Sequence, residues 1–138
     1  MQGNMLSFPK VLLTAKRNKI VRIYVTAVGI ISSIGNGSEQ TVRSLKELKG
    51  GQTVTKFVDS KLAGTFPLCE VPLSNDELAH IAGVSTDEFR TRCSLLAAVA
   101  AKEAAINAKI KENDEILTGF ICGTTVGGMD RSELFYRD

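Results

Sequence analysis

Tryptophan is missing from this chain, histidine occurs once, and aromatic residues make up only 6% of its 138 residues. That scarcity removes the stacking platforms on which single-stranded nucleic acid is bound. A formal net charge of +2, with lysines and arginines scattered along the chain, removes the concentrated positive field that a phosphate backbone demands. No nucleic-acid partner is expected. Cysteine is scarce as well. Cys69, Cys93 and Cys122 are odd in number and lack the paired spacing of a zinc site or a redox motif. They read as reduced thiols of a cytoplasmic protein. No uncharged run approaches the ~18 apolar residues of a membrane helix, and the short run at residues 11–15 is too brief for a signal-peptide core and leads into Lys16 and Arg17. No membrane partner is expected. The G-x-S-x-G elbow, the H-E-x-x-H pair and any histidine and cysteine cluster with metal spacing are absent too, so no metal and no cofactor are expected.

What is present suits an ordinary globular domain, or a piece of a larger one: 43% hydrophobic and 23% charged residues. The stretch around which the chain is organised runs over residues 85–128. Its first part, TDEFRTRCSLLAAVAAKEAAINAKI, reads as one long helix opened by a capping box from Ser85 and Glu88. Residues 93–101 carry no charge and are mostly small, so apolar surface wraps round the helix instead of forming a single stripe. A central helix packed on several sides is expected, with Lys102, Glu103, Lys109 and Lys111 marking its return to water.

Residues 20–28, IVRIYVTAV, are rich in β-branched side chains and carry charge only at Arg22, the pattern of an interior strand. Gly35, Asn36 and Gly37 make a turn, Ser38 is the expected N-cap of a helix with Val42, Leu45 and Leu48 on its apolar face, and Gly50 and Gly51 are expected to close it. The glycines do not match G-x-G-x-x-G, and no P-loop lysine follows. Short strands are expected at residues 53–58 and 66–71, then a helix over 76–82 capped by Ser74 with Glu77 and ended by Gly83. His80, on that helix, reads as a surface side chain.

A strand over residues 116–124, ILTGFICGTT in context, runs into the turn Thr124-Thr125-Val126-Gly127-Gly128, with a helix from Met129 that Asp130 could cap. In parallel α/β sheets ligands gather beyond the carboxyl ends of strands, which makes that turn the place to look for substrate contact. Cys93 and Cys122 read as packing residues, because a reactive thiolate needs a neighbouring base or cation. Residues 1–19 read as an extension, expected to be flexible, with the domain proper over 20–138.

Three motifs in order, RIYVTAVGIISSIGNG, RTRCSLLAAVAAKEAAINA and GFICGTTVGGMD, resemble the amino-terminal part of a β-ketoacyl-acyl carrier protein synthase, a condensing enzyme of the thiolase fold. The resemblance implies an α/β class, with strands layered about a buried central helix as part of a thiolase-like α/β/α fold. It implies decarboxylative Claisen condensation in fatty acid or polyketide synthesis, acyl carrier protein as partner, and a homodimer in the complete enzyme. Nucleophilic cysteine and two histidines follow the glycine turn in that family, so no catalytic residue transfers to this chain, and the 138 residues alone are expected to be inactive. Val126, flanked by Thr125 and Gly127, matches the apolar position of the glycine turn that lines the acyl pocket and gates it. The chain departs from the pattern in its amino-terminal extension and in lacking the glycine that closes the long helix near Ile110. The competing expectation is a non-catalytic thiolase-like half-domain that acts as a binding module.

Overall fold

The structure is a computed structural model that describes residues 22–57, 61, 64–85, 90–111 and 117–136. The expected extension at 1–19 and the Glu88 half of the first capping box lie outside the described residues. The fold is mixed α/β. In chain order it contains β1 (Ile31–Ser32), β2 (Gly35–Asn36), α1 (Ser38–Lys46), β3 (Gln52–Thr53), β4 (Leu68–Cys69), α2 (Asn75–Ala82), α3 (Arg92–Asn107) and α4 (Met129–Phe135). Among the described residues the strands form two small antiparallel pairs, β1 with β2 and β3 with β4.

Helix α2 forms as its local sequence dictates. Ser74 Oγ accepts from the Glu77 N–H at 3.2 Å while the Glu77 carboxylate accepts from the Ser74 N–H at 2.7 Å, completing the capping box. Gly83 ends the helix in the left-handed region, φ 77°, where the absence of Cβ removes the steric penalty. Leu78 and Ala79 of α2 meet Leu95 and Val99 of α3 to form the buried core of the described residues, with Ile31, Leu73, Ala82, Val84 and Leu96 packed round it.

The long helix is shorter than its sequence suggests. It starts after Thr91, whose hydroxyl accepts from the Ser94 N–H at 3.1 Å. Only Leu95 and Val99 are buried; Leu96 and the alanines between them are half-buried, and Cys93 is exposed, not a core residue. At its other end Lys109 takes a left-handed conformation, φ 57°, and the Ile110 N–H reaches back to the Ala105 carbonyl at 3.0 Å. A lysine therefore stands where a helix terminus favours glycine.

Helix α1 differs more. Its N-cap is Gly37, φ 122°, and Ser38 is the first helical residue. The helix closes at Glu47, with Leu48 at φ 53° and the Lys49 N–H bonded to the Ser44 carbonyl at 2.9 Å, before the expected Gly50 and Gly51. Its buried residues are Thr41 and Ser44, whose hydroxyls donate to Gly37 O at 2.8 Å and Ile34 O at 2.7 Å. Val42, Leu45 and Leu48, the expected inner face, are instead exposed.

The two expected interior strands also take a different form. Among the described residues, 22–30 and 117–124 form no β ladder, and Ile23, Val25, Leu117 and Ile121 are more than four-fifths exposed. A strand is stable only against a neighbour that satisfies its N–H and C=O groups, and no described segment supplies one. At Gly29 the first of these segments touches α3 so closely that an added Cβ would lie 2.0 Å from the Ala100 carbonyl oxygen.

Two substitutions should separate steric contact from backbone strain. Gly29→Ala should destabilise by about 2–4 kcal/mol, since the neighbouring atom is helix backbone that cannot yield. Lys109→Gly should stabilise by about 0.5–1 kcal/mol by relieving the left-handed residue. Urea unfolding followed by circular dichroism measures both, and equal effects of one sign would contradict the structure.

Candidate functional site

The turn singled out in the sequence lies at the amino-terminal end of α3. Thr124 Oγ1 sits 3.6 Å from Cys93 Sγ, and the Arg131 guanidinium of α4 donates to the Arg90 carbonyl at 3.1 Å. Gly128, at φ 87°, opens α4 and accepts from the Arg131 and Ser132 N–H groups at 3.0 and 3.1 Å. Both sides of the turn are thus moored to the start of α3. Thr125, Val126 and Gly127 are exposed, and Val126 retains 65% of its accessible surface. Thr124 packs against Gly127, where an added Cβ would come within 2.7 Å of its methyl group.

Cys122, expected inside a strand, is exposed, as are Cys69 and His80. Among the described residues no group of three or more histidine, cysteine, aspartate or glutamate side chains could hold a metal ion. Nor is any described helix long and apolar enough to cross a membrane.

Along the alanine side of the carboxyl-terminal half of α3 runs an open cleft of about 570 Å³. Thr26 and Ala27 of the first segment, Thr118, Gly119 and Phe120 of the second, and Ala101, Ala104, Ala105 and Ala108 of α3 line it. Small side chains on the helix are what let two segments approach the same face.

A second cleft, about 320 Å³ and predominantly apolar, opens between α3, the end of α2 and the outer ends of β1 and β2. Its walls include Ile30, Ile31, Ile81, Val99 and Ile106. Glu103 lines it, and sequence reasoning placed that residue merely at the water boundary. Its Oε1 accepts from both the N–H and the hydroxyl of Ser38, each at 2.7 Å, and its Oε2 accepts from the Ile30 N–H at 2.8 Å. Gly37 offers no side chain to cap α1, so a carboxylate from α3 meets the first helical N–H instead. The Ser38 N–H first, then its hydroxyl, then the Ile30 N–H hold the Glu103 carboxyl below its ordinary range. The only sequence signal was an acid interrupting an alanine run, paired with a glycine at a cap position.

At the far side of α3, Arg92 donates to the carbonyls of Val71 and Leu73 at 2.8 and 2.9 Å and to Asn75 Oδ1 at 3.0 Å, and stacks 5.2 Å from the Phe57 ring centre. Buried Glu70 accepts from the Lys56 and Phe57 N–H groups. These contacts fix the β3–β4 loops against the core rather than forming a reactive centre.

Comparison with protein-family models, with curated proteins and with solved structures finds no match for this chain.

The Glu103 contacts carry a pH signature. Its folded-state pKa is lowered, so its stabilisation is fully present above the ordinary value of 4.5 and is lost as pH falls through the lowered folded value. Glu77 behaves in the same sense through Ser74. Thermal unfolding between pH 7 and 3 should therefore show a smaller acid loss in Glu103→Gln than in the unaltered chain. Parallel curves would remove Glu103 from the account.

Proposed function

We propose that the chain is the amino-terminal part of a β-ketoacyl-acyl carrier protein synthase domain with thiolase-like layering. The observation that carries the reading is the alanine cleft. Two segments of strand-like composition, through Thr26 and Ala27 and through Thr118, Gly119 and Phe120, flank one small-residue face of α3, as two strands of a layer covering a central helix would. Two further features support it. The order of the motifs is that of the family, and the glycine turn follows the second segment directly.

In this reading the chain's own task is architectural and selective. It supplies α3 as the central helix and the turn Thr125-Val126-Gly127 as part of the acyl pocket, with Val126 as its gate. The nucleophilic cysteine and the two histidines come from a segment outside these 138 residues. Acyl and malonyl groups arrive on acyl carrier protein, and the complete enzyme is a homodimer working in the cytoplasm. Exposed Ile23, Tyr24, Val25, Leu117, Phe120 and Ile121 then belong to a sheet completed by the rest of the domain. Exposed apolar surface of this extent, with unpaired edges, drives association when left uncovered.

Two measurements test the reading. Light scattering on the purified 138-residue chain should find oligomers or aggregates and no acyl transfer from acyl carrier protein. A stable monomer at about 100 µM, the regime in which exposed edges associate, would count against it. In the gene product extended to include the cysteine and histidines, Val126→Phe should shorten the longest acyl chain accepted while short-chain turnover persists. Unchanged chain-length selectivity would remove Val126 from the gate, and a gene lacking those residues would leave the non-catalytic half-domain.

A further inference from the structure

The cleft at Glu103 has a chemistry of its own, independent of the condensing-enzyme reading. Five branched aliphatic side chains, Ile30, Ile31, Ile81, Val99 and Ile106, line it from three parts of the fold, and its volume of about 320 Å³ suits a small ligand. One carboxylate shares the lining. No cation among the described residues lies within ion-pair distance of it. The Lys102 ammonium, the other charged group of the lining, donates to the Ile81 carbonyl at 2.7 Å instead. Three hydrogen bonds hold the carboxylate in place, and Oε2 accepts from Ile30 alone, so a lone pair remains on that oxygen. A fixed, ionised acceptor without a counter-ion, set beside apolar walls, is complementary to a cation with an apolar body.

We propose that this cleft is a binding site for a small hydrophobic amine, whose ammonium group meets Glu103 Oε2 while its alkyl or aryl body lies against Ile81, Val99 and Ile106. The three donors already on Glu103 keep it ionised at neutral pH, so the charge is in place before the ligand arrives. An alcohol of the same length would retain the apolar contact and lose the ion pair. A carboxylate of the same length would meet repulsion at Glu103.

The test is ligand-observed NMR titration of the 138-residue chain at pH 7 with hexylamine, hexanol and hexanoate. Hexylamine should bind about threefold more tightly than hexanol, the scale of a solvent-accessible ion pair, and hexanoate should be the weakest. Glu103→Gln should bring the amine down to the alcohol without weakening the alcohol. Ile106→Ser, at a position 64% exposed and therefore tolerant of change, should weaken amine and alcohol in parallel. The comparison of three ligands on the unaltered chain decides the matter even if a variant fails to fold. Equal affinity for amine and alcohol, hexanoate binding as tightly as hexylamine, no effect of Ile106→Ser, or no saturation by about 10 mM, weak even for a ligand of this size, would each overturn the proposal.

Discussion

One carboxylate ties the first third of the described chain to the rest. Glu103 gathers the Ile30 N–H and both donors of Ser38 onto the side of α3. It thereby supplies from 65 residues away the acceptor that Gly37 cannot offer as cap of α1. The contact is possible because Gly29 has no Cβ: with one, the chain could not come within reach of the Ala100 carbonyl, and Ile30 could not come within reach of Glu103. Steric permission and electrostatic attachment thus act on adjacent residues. At the opposite end of α3, Arg92 performs the corresponding task by donating to two carbonyls and Asn75 of the segment leading into α2. Long charged side chains on α3 that bond to backbone elsewhere do much of the joining that apolar packing would do in a larger core.

That arrangement explains why so much apolar surface remains outside. The buried core of the described residues is the Leu78, Ala79, Leu95 and Val99 contact between α2 and α3. Helix α1 is attached through Thr41 and Ser44, so its branched residues Val42 and Leu45 face away. Among the described residues the segments at 22–28 and 117–124 have the composition of buried strands, form no β ladder and are largely exposed. Apolar residues in strand-forming sequence have a cost in water that some neighbour must offset.

Sequence disclosed what is local. The Ser74 and Glu77 box and the Gly83 terminus of α2 depend on residues three or four apart, and the chain folds there as its spacing predicts. The existence of α3 was legible from the alanine and leucine run, but its start was not, because Thr91 with Ser94 caps it in place of Ser85. The inner face of α1 was misread for a physical reason: hydrophobic spacing names the face that could be buried, whereas hydroxyl bonds to Gly37 and Ile34 determined the face that is. Strand character at 22–28 and 117–124 could be read as propensity only, since pairing depends on a partner. The glycine turn was located correctly as a turn at Thr124 to Gly128, and its mooring to Cys93 and Arg90 was invisible because those contacts span dozens of residues. Glu103 was missed for the same reason.

The two candidate sites share α3 without sharing space. Cys93, beside the glycine turn, and Glu103, in the amine cleft, are separated along the helix by about 15 Å at 1.5 Å per residue. A ligand in the cleft therefore cannot block Val126 by contact, and a change at Val126 cannot fill the cleft. Any influence of one site on the other would have to pass through displacement of α3 itself. That helix is held at one end by Arg92 and near the other by Glu103, each through several hydrogen bonds. Displacing it would break charge-assisted bonds at both ends together, which makes a rigid helix with two independently readable sites the simpler physical account.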